Sequence, residues 1–124
     1  QANTTGIKNT SVGYQALKAN TTGKNNSSLG YESLHQNQTG DDNTSMGFQA
    51  MHSNSGGNSN SAIGYKSLSN VSSGSGNSAF GKKTLETITS GSNNTALGYL
   101  ADAGSSNLSN ATAIGYQAFL WVRQ

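Results

Sequence analysis

The sequence predicts an all-β fold: a parallel β-solenoid built from seven 17-residue coils. Three observations lead there. A large apolar residue recurs at Val12, Leu29, Met46, Ile63, Phe80, Leu97 and Ile114, every step being 17 residues without insertion or deletion. A glycine follows each of them, at Gly13, Gly30, Gly47, Gly64, Gly81, Gly98 and Gly115. Seventeen residues are too few for a pair of packed helices and a turn, since helical repeats run to roughly 33 residues or more.

The composition needs that register to be read correctly. Gly, Ser, Thr and Asn account for 64 of the 124 residues, and only 31% are hydrophobic. Alone, such a composition predicts disorder, because too little apolar surface is available to offset chain entropy. An apolar residue held at one phase through seven repeats argues for order instead. The same residue types are poor helix formers, so the coil is expected to consist of two short strands and two turns, stacked about 4.8 Å apart.

The repeats run 6–22, 23–39, 40–56, 57–73, 74–90, 91–107 and 108–124, within a single domain 1–124. Each of the first six opens with glycine (Gly6, Gly23, Gly40, Gly57, Gly74, Gly91), which fits a turn with positive φ; Leu108 takes that place in the seventh. An asparagine column follows at Asn9, Asn26, Asn43, Asn60, Asn77 and Asn94, with Ala111 last. Stacked, these side chains are expected to hydrogen-bond to one another along the axis.

Next comes a strand. Thr10, Val12 and Tyr14 share one face by the period of two, and Ser11, Gly13 and Gln15 share the other. The Val12 column is expected to form a buried ladder. The opposite face carries nothing larger than serine at the Ser11 and Gly13 phases, so a wall or another chain is expected to approach those glycines closely. A second apolar column follows at Leu17, Leu34, Met51, Leu68, Leu85 and Phe119, with Asp102 as the exception, and a polar stretch returns the chain to the next glycine. About three large apolar side chains per coil make a thin core against the cost of ordering 17 residues. Lateral association of several chains is therefore expected.

Several function classes are set aside. The chain has no cysteine, which removes disulfide frameworks and thiolate metal sites. No apolar run approaches a membrane-spanning length of roughly 18 residues. The net charge of +2 with scattered lysines lacks the clustered basic face of a nucleic-acid binder. No nucleophile constellation, phosphate loop or carboxylate pair stands out, so no catalytic, cofactor-binding or metal-binding residues are assigned and an enzyme is not expected. His35 and His52 share a phase in adjacent coils but have no third ligand there. Asp41-Asp42 is better explained by an exposed ion pair with Lys24 than by calcium, because the turn is not acidic elsewhere. Lys82 and Asp102 read as local departures from the Tyr14 and Leu17 columns.

The run Asn94-Thr95-Ala96-Leu97-Gly98-Tyr99 and its counterpart Ala113-Ile114-Gly115-Tyr116-Gln117-Ala118 resemble the Ala-Ile-Gly core of trimeric autotransporter adhesin heads. The fuller Asn-Thr-Ala-x-Gly-Tyr-x-Ala form looks like repeats of phage and bacterial fibre proteins, which often precede an endosialidase-type self-cleaving chaperone. The resemblance covers all seven repeats. It implies a left-handed β-roll with three chains side by side, in an extracellular fibre (a virion tail fibre or a bacterial surface appendage) that contacts cell-surface glycans. Adhesin coils are nearer 14 residues, so longer turns are expected here. Two other classes compete: a self-assembling extracellular filament with coils stacked head to tail, and an ice-binding solenoid, against which the irregular Thr5, Thr22, Thr39 column speaks.

Overall fold

A computed structural model describes residues 3–120, so the last four residues of the seventh coil and the first two of the chain lie outside the described residues. The fold is a β-solenoid of about seven turns with no helix among the described residues. Seven three-residue strands stack in sequence order: β1 (Thr10–Val12), β2 (Ser27–Leu29), β3 (Thr44–Met46), β4 (Ser61–Ile63), β5 (Ser78–Phe80), β6 (Thr95–Leu97) and β8 (Thr112–Ile114). All pairs are parallel and offset by one repeat, for example Ser28↔Ser45 and Ile63↔Phe80. A second sheet exists only at the end, where β7 (Asp102–Ala103) pairs with β9 (Phe119–Leu120). Elsewhere the expected second strand is a stacked turn.

That turn is held as firmly as a strand. Leu34 N–H donates to the Ala50 carbonyl at 2.9 Å and Gln36 N–H to the His52 carbonyl at 3.0 Å, each one coil on. The geometry places Leu17, Leu34, Met51, Leu68 and Leu85 in the left-handed region, with φ between 46° and 52°. A non-glycine residue there costs roughly 1–2 kcal/mol. Burial offsets it, since these five side chains are 0–2% exposed and form the centre of the core. A strand would turn every second side chain outward; the tight turn instead aims each leucine at the axis.

The Val12 column is stacked in register as expected, but it is not buried. Its members are 37–64% exposed, whereas the Ser11-phase residues between Ser28 and Ala113 are 0–3% exposed. The small face of the strand is the inner face and the bulky face is the outer one. The reason is room: the interior of a 17-residue coil is already filled by the leucine column, by asparagines and by the Ala16-phase residues, leaving space only for Ser or Ala from the strand.

The asparagine column is buried from Asn26 to Asn94. Its bonding differs from a side-chain chain. The Oδ1 of Asn26 accepts the Asn43 N–H at 3.0 Å, and the Nδ2 of Asn26 donates to the Gly40 carbonyl at 2.7 Å. The same pair of bonds repeats at Asn43 and Asn60. Among the described residues, side-chain-to-side-chain bonds within this column occur only from Asn77 Nδ2 to Asn60 Oδ1 (3.2 Å) and from Asn94 Nδ2 to Asn77 Oδ1 (3.0 Å). Each asparagine thus supplies the bonds that the backbone lacks between strand and turn.

A second asparagine ladder, not singled out by the sequence reading, does run side chain to side chain. Asn20 donates to Asn3, Asn37 to Asn20 and Asn54 to Asn37 at 2.8–3.0 Å, and each Nδ2 also donates to a glycine carbonyl three residues on. The carbonyls of Gly23, Gly40 and Gly57 therefore receive one donor from each ladder. The ladder ends where Val71 and Ile88 take over the phase, both fully buried. Asn54 Oδ1 is left without a partner at that boundary, because Val71 has no donor to offer.

The glycine columns are explained differently from the sequence expectation. Gly6, Gly23, Gly40, Gly57, Gly74 and Gly91 do not have positive φ; they are glycine because a Cβ would strike the next coil's carbonyl. Gly13, Gly30, Gly47, Gly64, Gly81, Gly98 and Gly115 terminate the strands with φ of 124–137°. At Gly47 a Cβ would lie 2.5 Å from the Gly64 carbonyl oxygen. From Gly13 to Gly98 the close neighbour within the chain is the same glycine one coil on, not an opposite wall, and Gly115, last in the column, has nothing within 4 Å.

Candidate interaction surface

The outward face of the sheet carries two parallel apolar columns two residues apart in each coil, with the glycine column between them. Thirteen of the fifteen large hydrophobic side chains exposed among the described residues belong to the Val12 and Tyr14 phases. They are outside because strand alternation turns Thr10 and Val12 away from the core, and Tyr14, two residues after Val12, lies exposed beyond the strand end. Between the Thr10 and Val12 columns of the first three coils lies a shallow apolar groove of about 190 Å³.

The Tyr14 column is a stack of rings. Tyr14–Tyr31, Tyr31–Phe48 and Phe48–Tyr65 have centroids 5.1, 5.1 and 5.3 Å apart with planes within 17° of parallel. Tyr99–Tyr116 continues it at 5.6 Å. Lys82 interrupts the stack, and its Nζ sits 5.5 Å from the Tyr65 centroid and 5.6 Å from that of Tyr99. The ammonium bridges two aromatic faces by cation–π attraction. Lys82 is thus a member of the ladder by charge rather than by shape, which its phase alone did not reveal.

His35 and His52 stack with centroids 5.1 Å apart and planes 9° from parallel. His35 Nδ1 lies 3.1 Å from the Gln15 carbonyl, which fixes it as the protonated nitrogen. His52 Nε2 is 3.6 Å from Glu32 Oε2, and that oxygen also accepts from Gln49 Nε2 at 2.8 Å. Desolvation, the neighbouring His35 and Lys66 push the His52 pKa down, outweighing the upward pull of Glu32. The hydrogen bond from Gln49 holds the Glu32 carboxyl below its ordinary value. Both shifts have the same sign for stability. A depressed histidine binds its proton less well folded than unfolded, so its contribution is full above the unfolded value of about 6.5 and is lost as pH falls below it. Glu32 loses its contribution at still lower pH. The melting temperature should therefore fall progressively on acidification from about pH 7, and His52→Gln should flatten the upper part of that profile; a profile unchanged by His52→Gln would remove the histidine from the account.

Asp41 does not pair with the Lys24 ammonium. Its Oδ1 accepts the Lys24 backbone N–H at 2.7 Å, the first rung of an outer ladder in which Asn58, Ser75, Ser92 and Ser109 do the same for the coil before them. Asp42 Oδ1 accepts from Asn25 Nδ2 at 2.9 Å. Asp102 stands near the end of the leucine column with both oxygens engaged by Thr87, through N–H at 3.2 Å and hydroxyl at 2.7 Å. Among the described residues no group of three or more His, Cys, Asp or Glu side chains converges on a metal-sized site. No helix is long and apolar enough to cross a membrane.

No family model, curated protein or solved structure matches the chain.

Proposed function

We propose that the chain is a rigid structural and adhesive segment of an extracellular fibre, of the phage tail-fibre or bacterial surface-adhesin kind, in which three copies run parallel as left-handed rolls and present their outer surfaces to cell-surface glycans. The observation that carries the assembly is the apolar stripe. Thirteen half-exposed large side chains amount to a surface on the order of 1,000 Å² per chain, above the patch size a monomer ordinarily leaves open and above the roughly 800 Å² per partner of a stable interface. Periodicity selects the occupant. A surface that repeats once per coil through seven coils is matched rung for rung by a second copy of itself and by few non-repetitive partners. The resemblance of the Ala113-Ile114-Gly115-Tyr116 type of run to adhesin heads points to three copies. The glycan reading rests on that resemblance alone.

Light scattering tests the assembly. A mass of three chains is expected at micromolar concentration, and a monomer overturns the reading. Ile63→Lys, a change at a side chain 39% exposed in the single chain, should return the mass toward one chain. The single chain tolerates the lysine, within about 0.5 kcal/mol, because a surface position makes few demands. Electron microscopy that finds long unbranched filaments instead would favour head-to-tail stacking of coils.

A further inference from the structure

We infer that the break in the aromatic ladder at Lys82 is a binding slot for an anionic pyranose, a uronic-acid-type unit of a glycan; the inference rests on the adhesive reading above and names its ligand. Phe48 covers one face of Tyr65 and Tyr116 covers one face of Tyr99, so the free faces of Tyr65 and Tyr99 are turned toward each other across the fifth coil. Two coil steps separate them by about 10 Å. That spacing leaves about 5 Å from each ring to a rung midway between them, the step at which neighbouring rings of the ladder already stack, so one six-membered ring fits the rung.

Charge supplies the second half of the argument. Lys66 Nζ lies 5.7 Å and Lys82 Nζ 5.5 Å from the centroid of the same ring, Tyr65. Lys82 stands on the slot's own rung, and Lys66, at the neighbouring rung, lies within reach of the same ring. Among the described residues neither forms an ion pair with a carboxylate, and Glu86 is engaged by Lys83 at 3.4 Å. Two like charges beside one ring attract an anion, and a carboxylate on a ring seated between Tyr65 and Tyr99 would meet both. Lys82 fills the slot in the free chain and would swing its flexible stem outward to pair with the ligand. Within the described column, apart from the outer faces of the end rings Tyr14 and Tyr116, each ring face elsewhere is covered by the next ring, so a rung with an aromatic face on both sides is open only here. A buried ammonium without a partner is strongly unfavourable, so the Lys82 rung of the stripe is expected at the open edge of an assembly, where the slot stays accessible.

The test is a titration of the intact chain with glucuronate, followed by amide NMR shifts around Gly81 and by calorimetry, with glucose and inorganic phosphate as separate arms. Glucuronate is expected to bind in the millimolar range, with about tenfold weaker binding after Lys82→Met or Lys66→Met. Lys82→Tyr, which restores the missing ring, should abolish binding while leaving the melting temperature at or above that of the parent. Equal binding of phosphate would reduce the site to a charge pair and overturn the slot; equal binding of glucose would overturn the role of the lysines; no shifts at the fifth coil would overturn both. Light scattering on the same samples separates the two proposals. A trimer that ignores glucuronate refutes the slot, and a monomer that binds it refutes the assembly.

Discussion

Gly57→Ala should destabilise the protein by about 3 kcal/mol or more, at the upper end of what overpacking costs, while Gly56→Ala, one residue earlier, should cost almost nothing. The two glycines differ only in what a methyl group would meet. At Gly57 a Cβ would fall on the Gly74 carbonyl oxygen and on Asn54 Oδ1, with Asn60 Nδ2 at 3.0 Å. The carbonyl is backbone of the next coil and cannot yield without breaking the stack. The Asn54 side chain cannot yield either, because its Nδ2 is committed to Asn37 Oδ1 at 2.8 Å and to the Gly57 carbonyl at 3.0 Å. Neither glycine has positive φ, so the backbone itself accepts alanine at both. At Gly56 the only neighbour is Thr39 Oγ1 at 3.2 Å, the end of an exposed side chain. There the loss of chain entropy in the unfolded state could even raise stability by about 0.4–1 kcal/mol. Thermal melts of the two variants decide it. A melting temperature for Gly57→Ala within a degree or two of Gly56→Ala would mean that the coils can separate locally, and the column would lose its explanation.

The contrast also marks what the sequence conveys. A 17-residue step without slippage is legible because every coil must hydrogen-bond to the next in register, so an insertion would break contacts on both sides. The columns follow from it. What the columns do not carry is a direction. Alternation at Thr10, Ser11 and Val12 separates two faces, and burial of the apolar one is the ordinary inference. Here the coil is too narrow for that, and Ala62 and Ala79 go inward while Ile63 and Phe80 stay out. The narrowness comes from the left-handed leucine turn at the Leu17 phase, and leucine is among the residues least expected in that region. Neighbouring coils impose it through backbone bonds that no local propensity encodes.

Other left-handed positions were open to reading. The phase of Lys8 is filled by Asn25, Asp42, Ser59, Gly76, Asn93 and Asn110, all with φ of 56–70°, and Asn, Asp and Gly are the residues that tolerate that conformation. The second ladder was equally visible as Asn3, Asn20, Asn37 and Asn54 at the coil period. Its loss at Val71 is harder to foresee, since Asn and Val differ in chemistry but are close in the volume they fill. The Lys82 bridge depends on ring positions one coil above and one coil below, which become neighbours only once the columns are stacked.

Asn60→Asp tests the ladder by making its stability depend on pH. Asn60 uses both ends of its amide. Its Oδ1 accepts the Asn77 N–H at 2.9 Å, and its Nδ2 donates to the Gly74 carbonyl at 2.8 Å, both buried. A carboxylate at this position keeps the acceptor but sets a second oxygen against the Gly74 carbonyl, and it buries a charge with no cation near. The protonated acid restores the donor. Folding therefore favours the protonated form, and the folded pKa of the introduced carboxyl rises above its unfolded value of about 3.9. The sign follows from that. The variant's stability is close to the parent's below about pH 3.9 and is lost as pH rises from there through the folded pKa. At pH 7 the deficit should reach about 3 kcal/mol or more, the scale of an unpaired buried charge. Asn60→Ala removes both partners' bonds at every pH and should cost about 2–3 kcal/mol throughout, by stranding the Asn77 N–H and the Gly74 carbonyl. Because the parent itself weakens in acid through His52 and Glu32, the quantity to plot is the difference between variant and parent at each pH. A difference that widens from pH 3 to pH 7 for Asn60→Asp and stays level for Asn60→Ala confirms that the side-chain amide bridges strand and turn. Two level curves would show that the position is filled rather than bonded.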